Sequence, residues 1–197
     1  VGNAIMWATE LQPIFMGILV SVIVGIALTL PISSAAICAA LSLTGLAGGA
    51  AVAGCCAQMV GFAVMSFKEN RWGGLFAQGI GTSMLQMGNI VRNPKIWLPP
   101  TLASAITGPM ATCLFHMEMN GAAVASGMGT CGFVGQIGVY TGWVQDMASG
   151  AKAAITPMDW IGMILICFVL PAVLTCVIAI PFRKKGWIGE NDLKLDL

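Results

Sequence analysis

From residue 11 to residue 67 the chain carries no aspartate, glutamate, lysine, arginine or histidine, an uncharged run of 57 residues. As a single helix the run would be roughly 85 Å long at 1.5 Å rise per residue. A bilayer core is about 30 Å thick and takes about 20 residues to cross. The run therefore turns at least once. The turn is expected at Pro31 to Ser34, because proline interrupts the helical ladder and serine caps the helix that follows. This predicts one span over residues 11–30 and a second, longer element over residues 35–67.

Composition points the same way. Only 9% of the 197 residues are charged, 57% are hydrophobic, and mean hydropathy is +0.87. A soluble domain carries roughly 25% charged residues. That much apolar side chain with so little polar cover excludes a soluble enzyme, a disordered chain and a coiled coil. A net charge of +1 lacks the clustered basic face that nucleic acid requires, so no nucleic-acid partner is expected.

Residues 96–115 and 160–182 are also uncharged and long enough to cross. They contain Pro99, Pro100, Pro109 and Pro171, and membrane helices tolerate such kinks when neighbours satisfy the freed carbonyls. Residues 72–91 and 119–145 differ. They hold Gly73, Gly74, Gly79, Gly81 and Gly88, and Gly121, Gly127, Gly129, Gly132, Gly135, Gly138 and Gly142. That density suits a lipid-facing helix poorly, and irregular backbone at membrane depth survives only inside protein or along a cavity. The expected fold is an all-α polytopic membrane protein with about four full spans and two glycine-rich broken or re-entrant segments. Residues 1–182 would form the membrane-embedded domain, as part of a larger one, since Val1 is not an initiator methionine. Residues 183–197 would form a cytoplasmic tail, solvated or touching a partner, in which Asp192, Lys194 and Asp196 alternate with Leu193, Leu195 and Leu197.

The positive-inside rule orients this arrangement. Placing Arg183, Lys184 and Lys185 in the cytoplasm puts Lys68, Arg71, Arg92 and Lys95 there too, with Lys194, and leaves Lys152 outside beside Glu118, Asp146 and Asp159. Small residues recur every fourth position at Gly45 and Gly49, Ala50 and Gly54, Ala57 and Gly61, a pattern that lets membrane helices approach closely. It fits internal packing better than a subunit interface.

The seven cysteines lie mostly in apolar runs without framework spacing, so no structural disulfide is expected. Residues 127–132 match G-x-G-x-x-G, but no strand precedes them and no acid follows at about 20 residues, so they do not read as a dinucleotide site. His116-Met117-Glu118 matches the H-x-E of zinc deaminases without the downstream P-C-x-x-C. Cys113, His116, Met117 and Met119 offer too few good ligands for a metal. No P-loop occurs. Neither a cofactor nor a catalytic residue is expected.

The constellation that carries chemistry is at 116–145. Glu118 lies between an apolar span and a glycine-rich apolar segment, and an ionisable group at that position is a functional candidate. An interfacial loop with its charge in water is the plainer alternative. A sugar needs acceptors for its hydroxyls: Glu118 supplies them, Asn120 and Gln136 supply donor and acceptor together, and His116 is a switchable donor. Tyr140, Trp143 and Trp97 offer aromatic faces, whereas Trp72 and Trp187 fit the interfacial belt. Gln78, Gln86 and Asn89 would line the same path from the other side. Two broken segments entering from opposite faces would meet near the midplane, where transporters hold substrate.

Several stretches taken together resemble a known family: LPISSAAI at 30–37, GCCAQMVGF at 54–62, NRWGG at 70–74, QGIGTSMLQM at 78–87, NIVRNP at 89–94, IWLPP at 96–100 and GMGTCGFVGQ at 127–136. They resemble the membrane component IIC of bacterial phosphotransferase-system (PTS) sugar transporters, in the branch called the second EIIC family. The resemblance implies a dimeric, multi-pass permease of the bacterial inner membrane that binds a sugar and carries it inward for phosphorylation by a IIB partner, itself charged by IIA. It implies that Glu118 and His116 hydrogen-bond the sugar. The IIC fold of that family has about ten spans, so the chain would match its C-terminal portion. Met117-Glu118-Met119 stands where the family carries a Thr-Glu-Pro type context, which leaves the register of the acid open. A non-transporting sensor that reuses the fold, and last an ion or metabolite carrier, are the alternatives.

Overall fold

The computed structural model describes residues 1–195, so Asp196 and Leu197 lie outside the described residues. Among those described the chain is helical, without a β-strand: α1 (Gly2–Leu11), α2 (Pro13–Thr29), α3 (Ser34–Ala40), α4 (Gly45–Met65), α5 (Phe67–Phe76), α6 (Met87–Arg92), α7 (Leu98–Pro109), α8 (Val134–Ala148), α9 (Pro157–Ile164) and α10 (Leu170–Lys184). Short 3₁₀ and π turns join them. Helices α9 and α10 run on through the π turn Leu165–Val169 as one 28-residue rod, Pro157–Lys184, long and apolar enough to cross a bilayer. Gly45–Met65 meets the same test, while α2 is apolar but shorter.

The two long helices are used differently. Helix α4 is 89% buried within the protein and the α9–α10 rod only 33%. The rod's exposed face carries Val169, Val173, Val177 and Ile180, and α7 likewise exposes Leu98, Leu102 and Ile106. Stripes of this size are stable facing lipid and unstable in water. Helix α4 is the central post, and its small residues act inside the molecule. A Cβ on Gly54 would strike the Ser21 carbonyl of α2, and one on Gly49 the Met117 carbonyl. The reading of this pattern as internal packing matches what is seen.

Contacts along these helices give their directions. Cys55 donates to the Val24 carbonyl and Thr29 to Gln58, so α2 and α4 run parallel. Gly61 meets Thr175, and Arg183 donates to the Met65 carbonyl, so α10 runs with them. Helix α7 opposes them: Trp97 and Thr101 reach Gln58, and Thr112 donates to the Pro13 carbonyl. These hydrogen bonds across buried helix faces, with Ser21 to the Ser104 carbonyl at 2.8 Å, are the polar glue of helices packed in an apolar setting.

Parallel α2 and α4 show that the uncharged run turns more than the minimum of one time. Residues 30–44 carry the chain back from one end of the bundle to the other, so the run turns twice. Ser33 caps α3 by accepting from the Ala36 amide at 3.1 Å, as the Pro31 turn implied. The single long element over 35–67 is broken, because Ser42 and Gly45 adopt left-handed φ values of 51° and 61°, a conformation that stops a helix. The second glycine-rich segment is broken only in part. Residues 119–133 are irregular, but α8 is a regular helix of 15 residues. Its glycines face the loop: Gly135 lies on the Gly129 carbonyl and Gly142 on the Asn120 and Gly121 amides.

Charge separates along the bundle. One end holds Glu10, His116, Glu118, Asp146, Lys152 and Asp159. The other holds Lys68, Arg71, Arg92, Lys95, Arg183, Lys184, Lys185 and Lys194 with Glu69, Glu190 and Asp192. The N-terminal helix shares the acidic end, where Glu10 and Glu118 line one cleft.

Candidate functional site

The site starts from a turn. Helix α7 ends in the π turn Met110–Leu114, and His116 follows with a left-handed φ of 43°. That conformation is costly for a residue with a Cβ and persists only where the surroundings fix it. The chain leaves it extended. In extended backbone successive side chains point to opposite faces, and here Met117 and Met119 are buried in the core while His116, Glu118 and Asn120 face outward. Met119 pairs with Gly45 through two backbone hydrogen bonds of 3.0 and 3.1 Å, which pins this ridge to the start of α4.

On the ridge, Asn120 is the hub. Its Nδ2 donates to Glu118 Oε2 at 3.0 Å and to Asp146 Oδ2 at 2.9 Å, and its Oδ1 accepts from the Gly45 amide at 3.1 Å. An amide nitrogen has two hydrogens, so both are spent. Asn120 therefore holds two carboxylates in place rather than offering a free donor. The cleft beside it measures about 340 Å³ and is lined by Phe115, His116, Glu118, Trp143, Asp146, Lys152 and Asp159, among others. Lys152 Nζ pairs with Asp159 Oδ1 at 2.8 Å and sits 5.4 Å from the Trp143 ring centroid. Trp160 packs on Trp143 and Tyr140 with centroids 5.5 and 5.8 Å apart. The cleft thus combines acceptors, a paired cation and an aromatic wall, and charged and polar side chains make up most of its lining.

The structure brings His116, Glu118 and Asn120 together and leaves the other expected residues apart. Gln136 is buried two turns of α8 from Trp143, with Nε2 3.3 Å from Cys56 Sγ and Oε1 without a partner among the described residues. Gln78 and Asn89 lie at the basic end. Gln78 donates to Ser66 at 2.8 Å and to the Gly74 carbonyl, Gln86 donates to Gln78, and Asn89 donates to Gln86. The two glycine-rich segments do meet, where the Thr130 hydroxyl donates to the Gly79 carbonyl at 2.5 Å. The cavity at that junction, however, is apolar, about 200 Å³, and lined by Val64, Phe76, Ile80, Phe133 and Phe168 among others. The polar cleft is at the acidic end and not where those segments cross. Trp97 is taken up by Gln58, at 3.0 Å.

The basic-end amides hold the tail. Asn70 donates to the Leu193 carbonyl at 2.7 Å and accepts from the Leu195 amide at 2.8 Å, while Gln86 and Asn89 donate to the carbonyls of Leu193 and Lys194. Leu193 and Ile188 are buried. The tail is a docked strap, against the solvated reading, and its alternation with Asp196 and Leu197 falls outside the described residues.

The sequence reading put Asp146, Lys152 and Asp159 on the same side as Glu118 without making them part of its site, and did not connect Glu10 with it. The signal available was their concentration in the connections that flank the spans. Among the described residues no cluster of His, Cys, Asp and Glu is placed to hold a metal ion.

Helical architecture, a lipid-facing apolar belt and charge gathered at two ends define a membrane protein. The chain belongs to the phosphotransferase-system EIIC family, whose model matches residues 1–195. It is accordingly a membrane component of a bacterial PTS sugar transporter. No curated protein and no solved structure matches it.

Proposed function

We propose that this chain is the sugar-binding permease component of a phosphoenolpyruvate-dependent phosphotransferase system, and that the sugar sits in the cleft beside Glu118. Family membership over residues 1–195 carries the reading, and the convergence of Glu118, Asp146 and Trp143 on one cleft supports the site. Glu118 and Asp146 accept hydroxyl protons of the sugar, Trp143 supports its C–H face, and His116 supplies a further donor or acceptor. Asn120 fixes both carboxylates. The Lys152–Asp159 pair closes the far wall.

In this reading the acidic end faces outward and the basic end faces the cytoplasm, in keeping with the positive-inside rule. The sugar moves to the basic end and a IIB protein, recharged by IIA, phosphorylates it there. The chain works as a homodimer in the bacterial inner membrane. The test is phosphoenolpyruvate-dependent sugar uptake in cells carrying the wild type or Glu118→Ala. Uptake is expected to fall to background in the variant at equal membrane abundance. Unchanged uptake removes Glu118 from the site.

A further inference from the structure

The ridge that forms the sugar cleft has a second side. Glu118 and Asn120 also line a separate cleft of about 430 Å³, whose other walls are Met6 and Glu10 of α1 and Thr44, Gly45, Leu46 and Ala47 at the start of α4. Each cleft alone falls in the range of about 300–1,000 Å³ found for small-molecule sites. Two strands of the covalent structure build the second one. Residues 42–45 turn through left-handed backbone into α4, and α1 lies across that turn, with Gly2 against the Leu41 carbonyl and Met6 beside Thr44.

Its chemistry is selective. Among the described residues the Glu10 carboxylate makes no hydrogen bond or ion pair, and the Thr44 hydroxyl has only a long 3.5 Å contact with Met6 Sδ. Glu118 is held through Oε2, which leaves its other oxygen able to accept from either side. A lining with two carboxylates, one hydroxyl and no cation repels phosphorylated or acidic sugars and accepts the hydroxyls of a neutral ring. Met6, Leu46 and Ala47 face its C–H surface.

We propose that this cleft is a second sugar subsite and that the substrate is a neutral disaccharide lying across the Glu118–Asn120 ridge, one ring on each side. The proposal rests on the sugar-permease reading and names the substrate class of that site. The first ring meets Trp143 and Asp146, the second meets Glu10 and Thr44, and Glu118 touches both. A monosaccharide fills the first subsite alone.

The experiment measures binding of matched pairs to the purified full chain in detergent: glucose with maltose and cellobiose, galactose with lactose, N-acetylglucosamine with chitobiose. At least one disaccharide is expected to bind more tightly than its monosaccharide. Glu10→Gln should weaken that disaccharide by about tenfold to a hundredfold, the loss expected for one charge-assisted hydrogen bond, with the monosaccharide unchanged. Thr44→Val should act in the same direction and less strongly. Glu10 is exposed, so the variant is expected to melt with the wild type. A disaccharide that binds no better than its monosaccharide, or a Glu10→Gln variant that treats both alike, overturns the second subsite. Glu118→Gln separates the two claims: if it weakens monosaccharide binding while Glu10→Gln discriminates nothing, only the subsite fails. If it changes neither, the sugar site itself fails.

Discussion

Replacing Gly49 by alanine tests whether the ridge depends on α4 for its position. Gly49 lies beneath Met117, and an added Cβ would overlap the Met117 carbonyl. Helix α4 is enclosed on all sides and has nowhere to retreat, so the ridge must move. Removing such an overlap takes a shift of about an ångström, and overpacking of this kind costs about 1–3 kcal/mol. For a chain of this size each kcal/mol lowers the melting temperature by about 2–4 °C. Misplacing a binding group by about 1 Å can cost about 100-fold. Gly49→Ala should therefore lose sugar affinity by about tenfold to a hundredfold through Glu118, although it touches no side chain of the cleft. Gly73→Ala is the control, because a Cβ there meets nothing within 4 Å. Both variants are compared by calorimetric binding and thermal melting in detergent. If Gly49→Ala binds and melts like the wild type, Met117 does not rest on α4 and the ridge is not built as described.

Asn120→Ala releases two carboxylates and exposes the Gly45 amide, so sugar affinity should fall about as far as in Glu118→Gln, measured by the same titration. Asn120→Asp keeps the acceptor for Gly45 but sets a third carboxylate beside Glu118 and Asp146, and should bind no better than Asn120→Ala. Lys152→Ala breaks an ion pair whose side chains are 26% and 19% exposed and should cost about 1 kcal/mol in a thermal melt, the upper end of what ion pairs reached by solvent contribute. Leu193→Ala empties a fully buried anchor of the strap at a cost of about 2–5 kcal/mol, seen as faster trypsin cleavage at Lys185 in the variant.

Several parts of this molecule were legible in its sequence because they depend on local chemistry. The absence of charge over residues 11–67 required membrane-like burial, and the Pro31–Ser34 turn and the α3 cap follow from residue type alone. Glu118, His116 and Asn120 were singled out in the sequence by their hydrogen-bonding chemistry beside a glycine-rich segment, and the alternation of the extended backbone that puts them on one face is visible only in the structure. What could not be read depends on long-range packing. The parallel course of α2 and α4 arises from glycine contacts such as Gly54 on Ser21, and no local signal shows that residues 30–44 return through the bundle. The same contacts bring Glu10 to Glu118 across more than a hundred residues. Gln78 and Asn89 looked like substrate ligands because buried amides need partners. Ser66, the Gly74 carbonyl and Gln86 supply the partners of Gln78, and the tail supplies one of those of Asn89, at Lys194, in a stretch that composition alone describes as a solvated end. The meeting of Asp146 with Asn120 depends on how α8 lies against residues 119–133, which no local signal shows.

The most direct test of the whole account is a sugar-bound structure of the full-length protein. The account places the sugar against Glu118, Asp146 and Trp143, with Asn120 still bridging the two carboxylates. A sugar found in the cavity between Phe76, Ile80 and Phe133, or among Gln78, Gln86 and Asn89 at the basic end, would contradict it.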